Sequence, residues 1–392
     1  MTSSLFGKSV MALQALATRR VTIDCDRMPF VFDNVPLHKI LNWILVEASI
    51  LVKPERPWGW PTHAQIEPTT MCNLRCALCP VTEGLERPLE HMELATFQKI
   101  IDQLGQHLFI ILLWDWGEPF LNPSIYDMIA YAKAREVGLI SSTNGHVFAT
   151  GDHAERLVLS GIDYIIVAID GVTQTTYEHY RQGGDLETAI SGIRNIVKAR
   201  EVRGSSTPLI DLRFIAMKHN EHEIPQLEEF SRSLGVDALT IRTLCTYDDG
   251  EYCVTQADGS AFVPENPAYQ PFTLDPMSKS RIRRKVNPCK VLWNNPAIHS
   301  NGKVFACTFD PHGRNVLGDL DKSSFAAIWW GPAFRELRHR FRTDYKELTL
   351  CRDCTYAFEG GAMGEERDRE AFFFNTQSDG GKSAVSRQPQ TG

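Results

Sequence analysis

The sequence predicts an α/β fold, in which a parallel sheet of six strands is followed by a smaller, cysteine-rich domain. Six apolar runs of strand length alternate with segments of helical periodicity, and this alternation is typical of βαβ units and a parallel sheet. The 392 residues are long for one domain and indicate two. Seven of the ten cysteines fall in two groups, one near residue 75 and one after residue 288.

The six predicted strands follow one another along the chain, with helical segments between them. They cover residues 64–70, 109–114, 138–143, 163–169, 208–216 and 237–244. Apolar residues at helical spacing are clearest over 93–104, 186–199 and 224–234. Because parallel strands of this kind carry their chemistry at the carboxyl ends, we expect the functional residues just past each strand.

The first cysteine group consists of Cys72, Cys76 and Cys79, at CxxxCxxC spacing on one short segment. Three thiolates so spaced can bind three irons of a [4Fe–4S] cluster and leave the fourth iron open to an exogenous ligand. Iron–sulfur clusters are normally closed by four cysteines, so a three-cysteine motif indicates catalysis. Zinc binding is the alternative, since Cys-x-x-Cys is also a zinc spacing. Disulfides are disfavoured because no secretion signal accompanies the ten cysteines.

The residues around this motif resemble the radical S-adenosylmethionine (radical SAM) superfamily. Trp116-Gly-Glu-Pro119 resembles the family's GGEP motif, with Trp116 in place of the first glycine. The resemblance implies an α/β fold built as a partial (β/α)6 TIM-like barrel, in which Gly117, Glu118 and Pro119 bind SAM. It implies that the open iron chelates SAM, and that one electron delivered to the sulfonium yields a 5′-deoxyadenosyl radical. That radical abstracts a hydrogen atom from a substrate C–H bond.

Three further residues are predicted to bind SAM from their places in family-like segments. Asn144 and Asp170 follow the third and fourth predicted strands. Family members often have a serine in the fourth strand, but Ala168 stands there and is assigned no role. Arg181 lies in a Tyr-Arg-Gln-Gly-Gly run that resembles the family's arginine segment, whose guanidinium can pair with the cofactor carboxylate. A solvated cation near a helix is the alternative for Arg181.

The second cysteine group consists of Cys289, Cys307, Cys351 and Cys354. Its pattern, C…GxxxxC…CxxC, resembles the small SPASM/twitch-like auxiliary-cluster domain of the same superfamily, and the resemblance implies a second [4Fe–4S] cluster. No cysteine follows Cys354, so one auxiliary cluster is expected. A four-cysteine zinc site is the alternative. Asn301-Gly302 predicts the hairpin turn whose strands present Cys307 next to Cys289.

The chain is expected to contain an N-terminal helical extension, the barrel, a linker with a substrate-proximal insert, the cysteine-rich domain and a disordered tail. Their ranges are 1–60, 61–245, 246–288, 289–375 and 376–392. The net charge of −7 and the lack of a basic stripe exclude a nucleic-acid partner. Residues 36–52 are too polar to span a bilayer, so we expect them to pack on the barrel, with membrane-surface contact as the lesser alternative. Without an export signal, the protein is expected in the cytoplasm.

The resemblance implies an enzyme but leaves the fate of the substrate radical open. Cys245 follows the sixth predicted strand and is needed by neither cluster, so it is a candidate catalytic hydrogen donor for an epimerisation. A buried apolar cysteine is the alternative for this residue. A net oxidation such as a dehydrogenation would instead use the auxiliary cluster as electron acceptor. In either case SAM cleavage needs a reducing donor such as flavodoxin or ferredoxin.

The substrate is expected to be a sugar-like or other small natural product. The reason is that residues 1–60 show no winged-helix pattern of the kind that binds leader peptides. A peptide-modifying SPASM maturase is the alternative. A non-catalytic iron–sulfur electron carrier or a zinc scaffold is the alternative of another class.

Overall fold

The structure is a computed structural model that describes residues 5–26, 28–244, 259–278, 280–360 and 369–373. Its strands are β1 (Val21–Cys25), β2 (Met28–Phe32), β3 (His63–Ile66), β4 (Ile110–Leu112), β5 (Gly138–Thr143), β6 (Tyr164–Ala168), β7 (Leu209–Ala216), β8 (Ala238–Thr243), β9 (Ala297–Ile298), β10 (Lys303–Phe305), β11 (Gly318–Asp319) and β12 (Arg369–Phe372). Its α-helices are α1 (Leu5–Thr18), α2 (Leu37–Val52), α3 (Pro80–Glu83), α4 (Leu94–Leu104), α5 (Ile125–Lys133), α6 (His153–Leu159), α7 (Gln174–Tyr180), α8 (Leu186–Val202), α9 (Leu227–Leu234), α10 (Val291–Asn294), α11 (Phe325–Trp329), α12 (Pro332–Asp344) and α13 (Thr349–Arg352).

The centre of the fold is a run of six parallel strands, β3 to β8, each paired with the next. Helices separate these strands along the chain, which confirms the α/β fold and the partial (β/α)6 barrel. The sheet is not closed, because β3 and β8 pair with later strands instead of with each other. The third predicted strand coincides with β5. The first was predicted to reach residue 70, but β3 ends at Ile66, where the chain turns into the cysteine loop.

Side chains of the barrel strands alternate between two apolar layers, as the two-residue period of a strand requires. In β6, Ile165 and Val167 pack with the residues of the surrounding helices. Tyr164 and Ile166 belong to a second cluster, which contains Phe30 and other residues of the N-terminal segment. The second cluster therefore fills the inner side of the barrel, and the functional residues lie above it at the carboxyl ends of the strands.

The N-terminal segment contains a β-hairpin as well as the expected helices. β1 and β2 pair antiparallel, with Cys25 opposite Met28. Asp26, at the tip, forms ion pairs with Arg213 of β7 at 2.6 Å and with Arg242 of β8. The base of the hairpin thus packs on the amino end of β5, where Phe30 and Phe32 lie against Gly138, and its tip reaches the carboxyl half of β8. Within the described residues, no helix is both long and apolar enough to cross a membrane.

The cysteine-rich domain continues the barrel sheet. The order of the ten strands is β11-β10-β9-β3-β4-β5-β6-β7-β8-β12. β9 runs parallel to β3, and β9 and β10 form the hairpin expected at Asn301-Gly302, with Gly302 at φ +74°. The amide of Gln65 donates to the carbonyl of Pro296 at 3.0 Å, and that of Glu67 donates to Ile298 at 2.9 Å. The two domains are therefore joined by backbone hydrogen bonds.

Candidate active site

The three cysteines of the first group, here called the loop cysteines, lie between β3 and α3, at the carboxyl end of the barrel. Cys72, Cys76 and Cys79 are all free thiols, each buried or half-buried. Burial raises the pKa of Cys72 to about 11 and that of Cys79 to about 12, and the nearby Cys76 acts in the same direction on both. The structure thus brings the predicted ligands together. They are neutral thiols that a bound cation would deprotonate.

The sulfur atoms of neither cysteine group are drawn together as around a single ion. Among the described His, Cys, Asp and Glu side chains, the group of three whose ligand atoms all lie within 4.8 Å of one another contains no cysteine. Sulfurs bound to one zinc ion, each at about 2.3 Å, would lie about 4 Å apart.

Backbone hydrogen bonds hold the cysteine loop against the segment that follows α7. The amide of Arg75 donates to the carbonyl of Gln182, and that of Ala77 to Tyr180, both at 2.9 Å. Arg181, between these two carbonyls, has a side chain only 14% exposed, and its Nη1 lies 3.8 Å from Cys76 Sγ. Arg181 is therefore a largely buried cation beside a loop cysteine, and the solvated-cation alternative does not hold.

Asp170 follows β6 and keeps Arg181 in place. Its Oδ2 accepts a hydrogen bond from Arg181 Nε at 2.6 Å, and its Oδ1 accepts one from the amide of Ile215 at 2.7 Å. The carboxylate is fully buried, so this charge-assisted pair is shielded from solvent. Asp170 acts on the site through Arg181; direct contact of either residue with SAM stays a prediction.

The turn Gly117-Glu118-Pro119 packs directly on the chain that leads into the cysteine loop. Gly117 has φ +103°, and a Cβ built there would lie 2.5 Å from the carbonyl oxygen of Thr69 and 2.9 Å from that of Met71. The amide of Glu118 donates to the same Met71 carbonyl at 2.7 Å. Only glycine has both the backbone freedom and the small size that this contact needs.

Glu118 and Asn144 join three segments at the carboxyl end of the barrel. The Glu118 carboxylate accepts hydrogen bonds from Thr143 Oγ1 and from the amide of Asn144, both at 2.8 Å. Burial raises the pKa of Glu118 to about 7. Asn144 Nδ2 in turn donates to Asn73 Oδ1 in the cysteine loop at 2.8 Å. These residues fix the turn, the end of β5 and the loop relative to one another.

The second cysteine group, here called the auxiliary cysteines, is also assembled as predicted. Burial raises the pKa of Cys307 well above its usual range, and the neighbouring thiols of Cys351, Cys354 and Cys289 add to the shift. Cys289 and Cys351 pack on a small apolar core of their own domain. The four thiols therefore lie within electrostatic reach of one another, and their binding of a second cluster stays a prediction.

Asp115 and Trp116 connect the turn Gly117-Glu118-Pro119, here called the SAM turn after its predicted role, to the cysteine-rich domain, here called the auxiliary domain. Trp116 Nε1 donates to the carbonyl of Thr308 at 3.0 Å, and the Thr308 hydroxyl donates to Asp115 Oδ1. Thr308 directly follows Cys307. The indole that replaces the family's first glycine thus contacts the neighbour of an auxiliary cysteine, a contact that sequence analysis did not predict.

Sequence analysis also missed Glu67 and His299, which lie beside Asp115. These residues are far apart in the chain, and only the register of β3 with β9 brings them together. The signal that could have found them is their position just past a strand. Cys245, the predicted hydrogen donor, lies outside the described residues.

Comparison with protein families agrees with this geometry. A model of the radical SAM superfamily matches residues 66–227, and a model of the SPASM iron–sulfur cluster-binding domain matches residues 289–355. The chain is a radical SAM protein with a C-terminal SPASM domain. Membership implies a catalytic [4Fe–4S] cluster with SAM and an auxiliary iron–sulfur site, and the free thiols and the glycine contact described above fit these groups.

Three radical SAM relatives illustrate the similarity. The Mycofactocin maturase MftC of Mycobacterium ulcerans is 26% identical over 318 residues, which cover 76% of this chain and 81% of that protein. The PqqA peptide cyclase of Gluconobacter oxydans is 27% identical over 270 residues, covering 66% and 72%. The tungsten-containing aldehyde ferredoxin oxidoreductase cofactor-modifying protein of Pyrococcus furiosus is 30% identical over 188 residues; the match covers 46% of this chain and spans only about half, 51%, of that relative.

A solved structure shows the same fold across both domains. The crystal structure of Streptococcus suis SuiB bound to the precursor peptide SuiA matches with a TM-score of 0.56 at 15% identity. The match covers 92% of this chain and 84% of that chain.

Proposed function

We propose that this chain is a radical SAM maturase that oxidatively modifies a peptide. The observation that carries the proposal is the direct contact between the SAM turn and the auxiliary domain, through Trp116 and Thr308. When bound, SAM and its cluster supply hydrogen-atom abstraction, and the auxiliary cluster supplies an acceptor for the electron left on the substrate. An auxiliary site so close to the SAM turn suits an oxidation.

The protein's own residues prepare the site for this chemistry. Gly117 leaves no side chain between the turn and the chain that enters the cysteine loop. Arg181, held by Asp170, places a positive charge beside Cys76, where the carboxylate of SAM would find a partner. The N-terminal hairpin packs its apolar residues against the inner side of the barrel strands and so supports the site from within.

The peptide substrate replaces the small natural product expected from the sequence. That expectation came from the lack of a winged-helix pattern in the first 60 residues. Relatives whose matches extend over most of both chains include a maturase and a peptide cyclase. Their similarity supports the peptide alternative better than a sugar-like substrate. A reducing donor such as flavodoxin or ferredoxin is part of the same proposal.

The test begins with anaerobically reconstituted full-length protein. About eight irons per chain are expected, four for each cluster, together with 5′-deoxyadenosine when SAM and dithionite are added. Short peptides encoded beside the gene are then supplied, and mass spectrometry should detect loss of two hydrogen atoms from one of them. A metabolite extract from a strain lacking the gene serves as the second substrate source. Modification of an extracted small molecule, with every peptide unchanged, would contradict the peptide proposal.

A further inference from the structure

A buried cluster of metal-binding side chains, none of them a cysteine, lies where the two domains meet. Glu67 follows β3, Asp115 lies shortly after β4, and His299 follows β9. Their ligand atoms all lie within 4.8 Å of one another. The side chains of Glu67 and His299 are fully buried and that of Asp115 is 2% exposed. Charged and polar groups buried so completely need partners.

Three atoms of this cluster have none. Asp115 Oδ2 and both ring nitrogens of His299 are buried without a hydrogen-bond partner among the residues that the structure describes. Asp115 Oδ2 and His299 Nε2 face each other at 3.8 Å. A hydrogen bond would need roughly 2.7–3.2 Å, so a proton between them satisfies neither atom well. A metal ion with bonds of about 2.0–2.2 Å spans the gap, because two such bonds at an open angle separate their ligands by slightly less than 4 Å.

The charges around the cluster also favour the binding of a cation. Glu67 is held by Arg87, whose two terminal nitrogens lie 2.7 and 2.5 Å from the two carboxylate oxygens. The carboxylates of Glu67 and Asp310 both raise the pKa of Asp115, and the guanidinium of Arg87 lowers it. Burial, followed by the charge of Glu67, raises the pKa of Asp115 well above its usual range.

His299 is held in its neutral form, in which a ring nitrogen can bind a metal ion. Burial, with a contribution from Arg87, lowers its pKa to about 2, so the imidazole keeps a free lone pair at physiological pH. The ring stacks on Phe305 with centroids 3.9 Å apart, which fixes its orientation. Thr308 donates to the other oxygen of Asp115, so Asp115 and His299 each have a neighbour that orients the side chain.

We propose that Asp115, His299 and Glu67 form a mononuclear site for a divalent first-row metal ion, such as Zn²⁺ or Mn²⁺. One imidazole with two carboxylates is a donor set that both ions accept. The ion would join the barrel, which provides the carboxylates, to the SPASM domain, which provides the imidazole. This site is additional to the proposed maturase activity and does not depend on it.

The test uses full-length, cluster-loaded protein dialysed anaerobically against Zn²⁺ and, separately, Mn²⁺, with metals and sulfide measured by mass spectrometry. Wild-type protein should retain about one such ion per chain beyond its iron. Asp115→Asn and His299→Gln should keep their iron and sulfide but bind the added ion at least about tenfold more weakly, since even changes behind a ligand cost that much. Matched controls are Asp321→Asn and His339→Gln, on exposed side chains that form surface ion pairs.

Two outcomes would overturn the proposal. One is wild-type protein that retains neither ion, a result independent of how the variants fold; water would then occupy the gap. The other is folded Asp115 and His299 variants that bind the ion as tightly as wild type, which would place the ion elsewhere. Loss of iron from wild-type protein would count against the maturase proposal instead, so the two failures are distinguishable.

Discussion

Gly117→Ala tests whether the close contact between the SAM turn and the cysteine loop is needed. The added methyl group would lie 2.5 Å from Thr69 O, a backbone atom that cannot rotate away. The positive φ costs a non-glycine residue about 1–2 kcal/mol, and overpacking adds about 1–3 kcal/mol. We therefore expect a loss of roughly 2–5 kcal/mol in the free energy of unfolding, with loss of SAM cleavage because the chain leading to Cys72 must move.

Gly204→Ala is the matched control for this substitution. Gly204 has φ +60°, yet a Cβ there would meet no atom within 4 Å. It should lose only the backbone contribution of about 1–2 kcal/mol and keep full SAM cleavage. Unfolding by urea and 5′-deoxyadenosine formation are measured on both variants in the same cluster-loaded form. Equal stability of the two variants, with cleavage intact in Gly117→Ala, would refute the argument.

Four further outcomes are expected. Alanine at all three loop cysteines should remove about half of the iron and abolish 5′-deoxyadenosine formation, and undiminished formation would disprove their role. Alanine at Cys351 and Cys354 should leave SAM cleavage but abolish product; one zinc with only about four irons in wild-type protein would show a structural zinc site instead. Trp116→Phe keeps an aromatic ring but loses the indole N–H that donates to Thr308, so it should raise the ratio of SAM cleaved to product formed. An unchanged ratio would show that this hydrogen bond is not needed for product formation. If Cys245 donates a hydrogen atom, Cys245→Ser should activate substrate without delivering an inverted product, and wild-type product made in heavy water should contain deuterium at one carbon.

The sequence predicted the central sheet well because its strands carry a simple physical pattern. Buried parallel strands are apolar on both faces, and the run at β6 shows this; its predicted ends lie within one residue of the observed ones. The hairpin of β1 and β2 was missed because each strand has only five residues, and Pro29 within β2 argues against a strand in sequence. The hairpin is stabilised by its packing against the barrel strands, and this tertiary contact cannot be predicted from local propensity.

Part of the candidate site was also predictable, because some of its residues lie in short contiguous motifs. The loop cysteines and the Gly117 turn are contiguous motifs, so their spacing alone indicates their chemistry. The pairing of Arg181 with Asp170 and the three-residue cluster around His299 depend on contacts between distant segments. A single sequence does not specify which strand ends lie next to each other. Here the register of β9 on β3 places His299 beside Glu67.

The shared sheet has a practical consequence for anyone dividing or recombining this protein. A truncation that stops before residue 296 would remove the acceptors of the Gln65 and Glu67 amides and leave the β3 edge unpaired. Exposed edges of this kind recruit strands from other chains, so the shortened protein should self-associate. A chimera between two such enzymes should therefore keep β3, β9 and β10 from the same parent, and a single junction between residues 66 and 297 would not do so.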